Sequence, residues 1–485
     1  MKFLLRLMSI AICLIFVFSF VPTLAESEEQ VTLRYVRPGN RPDNYSELIA
    51  NVNDRLKEDG LNINLDITYI ASDVFQDKVA MMISSGEEFD LISVMEDQKS
   101  FTNYVAMGAL TSIDNYLDGM DALKSKIPES IWNSAKINGR IYTIPAFWTD
   151  LADQACCITL DRANLKKYGV DVPQTRDDLL KMCEAYSSNW SGSDKPYVIP
   201  MYKEPFTWLF RTLDSYPFTV IDDLIYITQD GKVKSWVETD EFKTCADFFS
   251  QLYKNGYISP DILSTSWSSW NQLCSGNFIW CDGCQMWGSE DYFKNLIPGC
   301  QLDSVYLNPK ATSFRPAAFR NSTGVSATSK HPDAAVKFMN WLYSEQDNYD
   351  AMIYGIDGLT WKAEENGYYT KLGNGEAFND DWMIGNLSLL RKEVGTYPTF
   401  IDIMYREKKN AVDSIVMNFT FDPSDVSSEY SNCLALVETE IYPIKLGIIS
   451  YDDGGENAIE QLKAAGIDKV IESYQTQLDN FLGKQ

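Results

Sequence analysis

A single histidine, His331, serves all 485 residues, and it stands beside Pro332 at the start of a helical pattern. No G-x-S-x-G elbow accompanies it, so triad chemistry built on an imidazole is disfavoured. Positive charge is also short. Lys and Arg number 42 against 68 Asp and Glu, a net charge of −26. Such a surface repels phosphate, which argues against a nucleic-acid partner and against basic adhesion to an anionic membrane. Beyond residue 25 no apolar run approaches 18 residues, so no membrane-spanning helix is expected there. "CDGC" at 281–284 has no second CxxC to complete a zinc site. "YDDGGEN", from Tyr451, lacks the spacing of a calcium loop and reads as a turn. No metal and no cofactor are expected. Repeats and low-complexity linkers are absent as well.

What is present begins with a leader. Lys2 and Arg6, the apolar run "LMSIAICLIFVFSF" and "PTLA" form the three parts of a secretory signal, with cleavage after Ala25. Cys13 follows Ile12, where a lipid-attachment signal wants a small residue, so the expectation is a secreted or surface-associated protein without a lipid anchor. Nine cysteines follow the leader, an odd number that prevents complete internal pairing, and buried thiols are the expected state. The length exceeds one hydrophobic core. Aromatic residues reach 13%, including 12 Trp, and flat apolar rings are what ligand surfaces and cores both use.

Along the chain, strand and helix patterns alternate. "VTLRYV" and "INLDITYI" read as strands, with a helix between them at Tyr45, Leu48, Ile49, Val52 and Leu56. In "MMISSGEEFDLISV", residues 81–94, Gly86 ends a helix and a strand buried on both faces follows. This βαβ alternation predicts a doubly wound α/β sheet, whose ligands gather beyond the strands' carboxyl ends. Asn138-Gly139 marks a tight turn, and Pro145 closes a strand before "AFWTD". A second α/β region follows, and helical patterns fill the C-terminus.

Six segments, in order, resemble the extracellular solute-binding proteins of carbohydrate ABC transporters, the family-1 type, in a Gram-positive branch with a C-terminal domain of unknown function. They are "SGEEFDLISV" with "YVAMGALTSIDNYL", "WNSAKINGRIYTIP", "CSGNFIWCDGCQMW", "KHPDAAVKFMNWLYSE", "YGIDGLTW" and "AAGIDKVIESYQTQLDNFL". The resemblance implies a periplasmic-binding-protein-like fold, two doubly wound α/β lobes joined by a hinge around a cleft. Residues 31–146 with about 305–346 would form one lobe, and about 150–304 with 347–485 the other, with a helical C-terminal part. It further implies a monomeric, non-enzymatic binder of an oligosaccharide that serves an ABC permease. The branch usually carries a lipid-attachment cysteine, which is missing here, and rarely so many cysteines. A secreted glycan-active hydrolase is one alternative, since two carboxylates suffice for that chemistry. A binder of a non-sugar solute such as a peptide is the other.

The candidate ligand residues follow from the carboxyl-end rule and from the sugar's own chemistry: apolar ring faces and a rim of hydroxyls. By the resemblance, Trp148 at the crossing between lobes and Trp287 in the matching family segment would line the cleft. Glu96 and Asp97 stand at a strand tip, and Asn40, Arg41 and Asp43 in the first strand-to-helix loop. Asp357 and Trp361 in "GIDGLTW", and Trp208 with Arg211 in "PFTWLFR", complete the set.

Overall fold

The alternation read from residue 31 forms a five-stranded sheet. In the computed structural model, the described residues are 30–483 apart from 97, 153–155, 193, 201–205, 264–268, 374–375 and 379–380. The leader expected over 1–25 and the candidate Asp97 lie outside the described residues. Strand Val31–Pro38 pairs in parallel with both Ile63–Ile70 and Leu91–Met95. Asn321–Val325 comes back antiparallel beside Leu91–Met95, and Thr143–Pro145 closes the far edge. Every residue of Leu91–Met95 is buried, which is why that strand reads as one apolar run.

Local chemistry sets the boundaries. Gly86 caps helix Phe75–Ser85 at φ 70°, a left-handed conformation that costs glycine nothing. Asn138 and Gly139, both at positive φ, turn the chain between the paired strands Lys136–Ile137 and Arg140–Ile141. Helix Tyr45–Glu58 buries Tyr45, Leu48, Val52 and Leu56, one face at helical spacing. Helix Pro332–Ser344 opens on its proline and buries Ala334, Val336, Phe338, Met339 and Leu342 against the same core.

A second core forms around a mixed sheet ordered Leu302–Val305, Ile158–Asp161, Phe278–Asp282, Tyr197–Ile199. Helix Arg176–Asn189 covers it, started by a capping box between Thr175 and Asp178. The C-terminal helices Tyr451–Ala465 and Ile467–Phe481 add Ala458, Leu462, Val470, Tyr474 and Leu478 to this core. "YDDGGEN" is therefore the start of a helix and not a turn. Packing overrides its two glycines: a Cβ on Gly454 or Gly455 would press on Ile449 or on the Tyr451 ring.

The stretch from 347 onward does not begin in the second lobe. Tyr349, Met352, Ile353, Tyr354, Trp361, Phe378, Met383, Ile384 and Leu389 all belong to the first core. The described chain thus passes between the cores three times, between Phe147 and Ile158, between Leu307 and Ala318, and between Leu389 and Val416. A third, smaller apolar cluster lies along these passages, with Ala146, Trp148, Met286, Phe400 and Met404 among its members. Of the nine cysteines after the leader, eight are buried and Cys274 is half-buried. Among the described residues no group of metal-ligating side chains and no membrane-length apolar helix occurs.

Candidate ligand-binding cleft

Pro145 ends its strand, and the chain leaves the first sheet through Ala146, Phe147 and Trp148. Leu387 donates its N–H to the Phe147 carbonyl at 2.7 Å, which lays the 381–387 segment alongside. Gly385 makes that approach possible. A Cβ there would lie 2.8 Å from Trp148 Cβ and 1.9 Å from the Asp381 carbonyl oxygen. The Trp148 indole N–H donates to Asn321 Oδ1 at 3.3 Å, so a residue of the first sheet sets its ring plane.

Trp287 arrives from the second lobe. Its ring centroid is 6.0 Å from that of Trp148 and 5.1 Å, edge-on, from that of Phe400. Phe400 in turn stands 5.5 Å from Tyr405. Trp148 is 4% exposed and Trp287 39%. A fixed ring therefore backs an open one, and this is the arrangement a sugar face can stack on.

Two candidates thus come together. Others serve the scaffold. Trp208 is 0% exposed in the second core, edge-on to Phe248 and Trp280, so it faces no cleft. Its neighbour Arg211 is buried too, stacked 4.8 Å over the Tyr306 ring. Trp361 is buried against Tyr354, with Arg391 over its face at 5.3 Å. Asp357 is exposed and bridges to Trp361 through backbone. The half-buried Glu96 accepts the Phe101 N–H at 3.2 Å, which starts helix Phe101–Ala106. Asn40, Arg41 and Asp43 are exposed in one loop. Arg41 lies over the Tyr45 ring at 3.9 Å, and the Asp43 N–H reaches the Glu376 carboxylate at 3.2 Å.

A further polar group was not singled out from the sequence. Asp381 is half-buried at the start of the turn that packs on Trp148. Burial pushes its carboxyl up, against a hydrogen bond from the Trp382 N–H. Half-buried Tyr405 has its phenol raised first by burial and then by Asp381. Burial also raises Glu393, with Lys371 opposing. The adjacent acid and tryptophan in "DWMIG" are the signal that could have found this group, because carboxylate and ring together suit a sugar. Two surface concavities lie apart from this wall. One of about 420 Å³ is lined by Lys234, Glu238 and Ile471, and one of about 380 Å³ by Asp59, Met120 and Asn348. Neither contains a ring of the Trp148–Trp287 wall.

The family model described as bacterial extracellular solute-binding protein matches residues 52–360, and one described as a domain of unknown function (DUF3502) matches 415–483. The chain is similar to a carbohydrate ABC transporter substrate-binding protein of Streptococcus pneumoniae, 24% identical over 94% of this chain and 92% of the relative. Among solved structures it resembles the N-glycan transport solute binding protein NgtS of Streptococcus pneumoniae, with a TM-score of 0.76 at 20% identity, covering 93% of this chain and 99% of that one. It also resembles the S. pneumoniae substrate binding protein FusA in complex with kestose, with a TM-score of 0.66 at 18% identity, covering 94% and 100%. These likenesses show the periplasmic-binding-protein fold.

Proposed function

The chain belongs to the bacterial extracellular solute-binding protein family, and we propose that it captures an oligosaccharide outside the cell for an ABC permease. The observation that carries this reading is the open Trp287 ring, backed by Trp148 and Phe400 where the chain passes between its two cores. A pyranose or furanose presents apolar C–H faces to such rings, while carboxylates and phenols accept and donate to its hydroxyls. Asp381 and Glu393 both act on the Tyr405 phenol, which stands beside Phe400, so these three are the polar groups assigned that role. The relatives support the ligand class: one is named for carbohydrate transport, one for N-glycan transport, and one holds kestose.

In this reading the protein binds and does not convert its ligand, and it acts as a monomer whose leader is removed after Ala25. Its permease subunits are its protein partners. The lobes divide as the cores do, so the first takes residues 31–146, about 321–389, and the second takes the rest. Thermal melting against a panel that includes kestose and mannose–N-acetylglucosamine glycans tests the proposal. A ligand at a hundred times its Kd adds about 2.7 kcal/mol to the folded state, a clear rise in midpoint. At least one oligosaccharide should produce it, without release of reducing sugar. A panel that leaves the midpoint unmoved, while a peptide raises it, would replace the sugar reading with the non-sugar alternative.

A further inference from the structure

The three passages between the cores meet at one buried point. Asp150 comes from the first, Arg315 from the second, and Lys408 and Asp413 from the third. Arg315 Nε and Nη2 donate to the two carboxylate oxygens of Asp150, each at 2.7 Å. Nη2 also donates to the Lys408 carbonyl at 3.2 Å, and Nη1 pairs with Asp413. Asp150 accepts two backbone N–H groups as well, from Ala152 at 2.9 Å and from Lys408 at 2.7 Å. Around this fork, Phe314–Arg315 pairs in parallel with Val412–Asp413, and Thr149 Oγ1 donates to the Met404 carbonyl at 2.6 Å.

The Asp150 side chain is 1% exposed and that of Arg315 15%. A charge so buried is tolerated only when its hydrogen-bonding capacity is filled, and a bidentate guanidinium fills it with fixed geometry. Neither residue belongs to the five-stranded or the four-stranded sheet, so the pair knits passages rather than a core. We propose that Asp150 and Arg315 are positioning residues for ligand capture, a fixed point that makes the three passages move as one when the lobes turn. A bidentate fork resists shear and twist but leaves the lobes beyond it free to rotate together about it. The inference deepens the binding reading, and its test uses the ligand-free chain so that the two fail separately.

Arg315→Lys keeps the charge and loses the fork. Hydrogen–deuterium exchange should then speed up about tenfold in all three stretches, 146–152, 306–320 and 390–415. Core strands Val31–Pro38 and Phe278–Asp282 should keep their protection, and the distance distribution from X-ray scattering should broaden. Faster exchange confined to 306–320, with an unchanged distribution, would overturn the proposal. If Arg315→Lys also loses core protection, Asp150→Asn decides, since it keeps the side chain's shape and loses the ionic fork. Acceleration in all three stretches supports the fixed point, and acceleration confined to 146–152 overturns it.

Discussion

Trp208 and Trp287 bring the same indole into opposite circumstances. Trp208 lies in a core where rings meet rings: Trp280 and Phe248 edge-on, and further along Tyr226 stacked on Trp236 at 5.7 Å. Its indole N–H is buried with no acceptor among the described residues. Trp287 meets the rings of Trp148 and Phe400 yet stays 39% exposed, and its backing ring Trp148 is held by a hydrogen bond. The contrast teaches that aromatic content does not locate a binding surface. One exposed face against a fixed backing does, because only that face has free energy left to gain from a ligand.

The largest effect that would sharpen this contrast is on stability. Trp208→Ala should cost about 3–5 kcal/mol of folding free energy, the usual loss for a buried aromatic, read from denaturant unfolding. Ligand affinity of the folded fraction should be unchanged, and a selective loss of affinity would return Trp208 to the cleft. Next in size is Trp287→Ala. It should weaken the oligosaccharide by about 1–3 kcal/mol, or about five- to 150-fold, in calorimetry. The ligand-free midpoint should stay nearly in place, since the ring is 39% exposed. A large fall in that midpoint with normal affinity would break the contrast.

The smallest effect concerns two buried ion pairs that differ in the same instructive way. Asp150 with Arg315 and Asp350 with Arg391 are nearly alike in exposure, 1% and 15% against 4% and 17%. Burial raises both carboxyls. In Asp150 the fork and two backbone N–H groups outweigh burial and hold the group below its usual range. Asp350 receives Arg391 and Gln346 but has Asp347 nearby, and burial prevails, so its carboxyl is raised. The lowered Asp150 therefore contributes stability above the ordinary aspartate value of about 3.9, lost as pH falls through its folded value. The raised Asp350 does the reverse, and its folded form gains stability as pH falls from its folded value toward about 3.9. Asp350→Asn should remove that acid-side gain, whereas Asp150→Asn should remove the loss on acidification. Melting followed from pH 7 to pH 3 measures both, and two variants with the same pH dependence would make the two pairs equivalent.

Short-range physics was legible in the sequence. Gly86 and Asn138-Gly139 announce their turns, helix spacing announces Tyr45–Glu58, and the apolar run announces Leu91–Met95. Each depends on neighbours within a few residues, which a one-dimensional reading contains. The resemblance carried the two-lobed fold and pointed to Trp148 and Trp287, which the structure pairs. Tertiary structure alone decided the rest. Trp208 is core because three distant rings surround it, and "YDDGGEN" is helical because the second core accepts its face. Residues 349–389 join the first core rather than the second, and Asp381 comes to Trp148 through Gly385. The same holds for Trp148 with Asn321, 173 positions apart, and Asp150 with Arg315, 165 apart. Closing such distances costs chain entropy that no local pattern encodes, and only the summed burial of both cores supplies it.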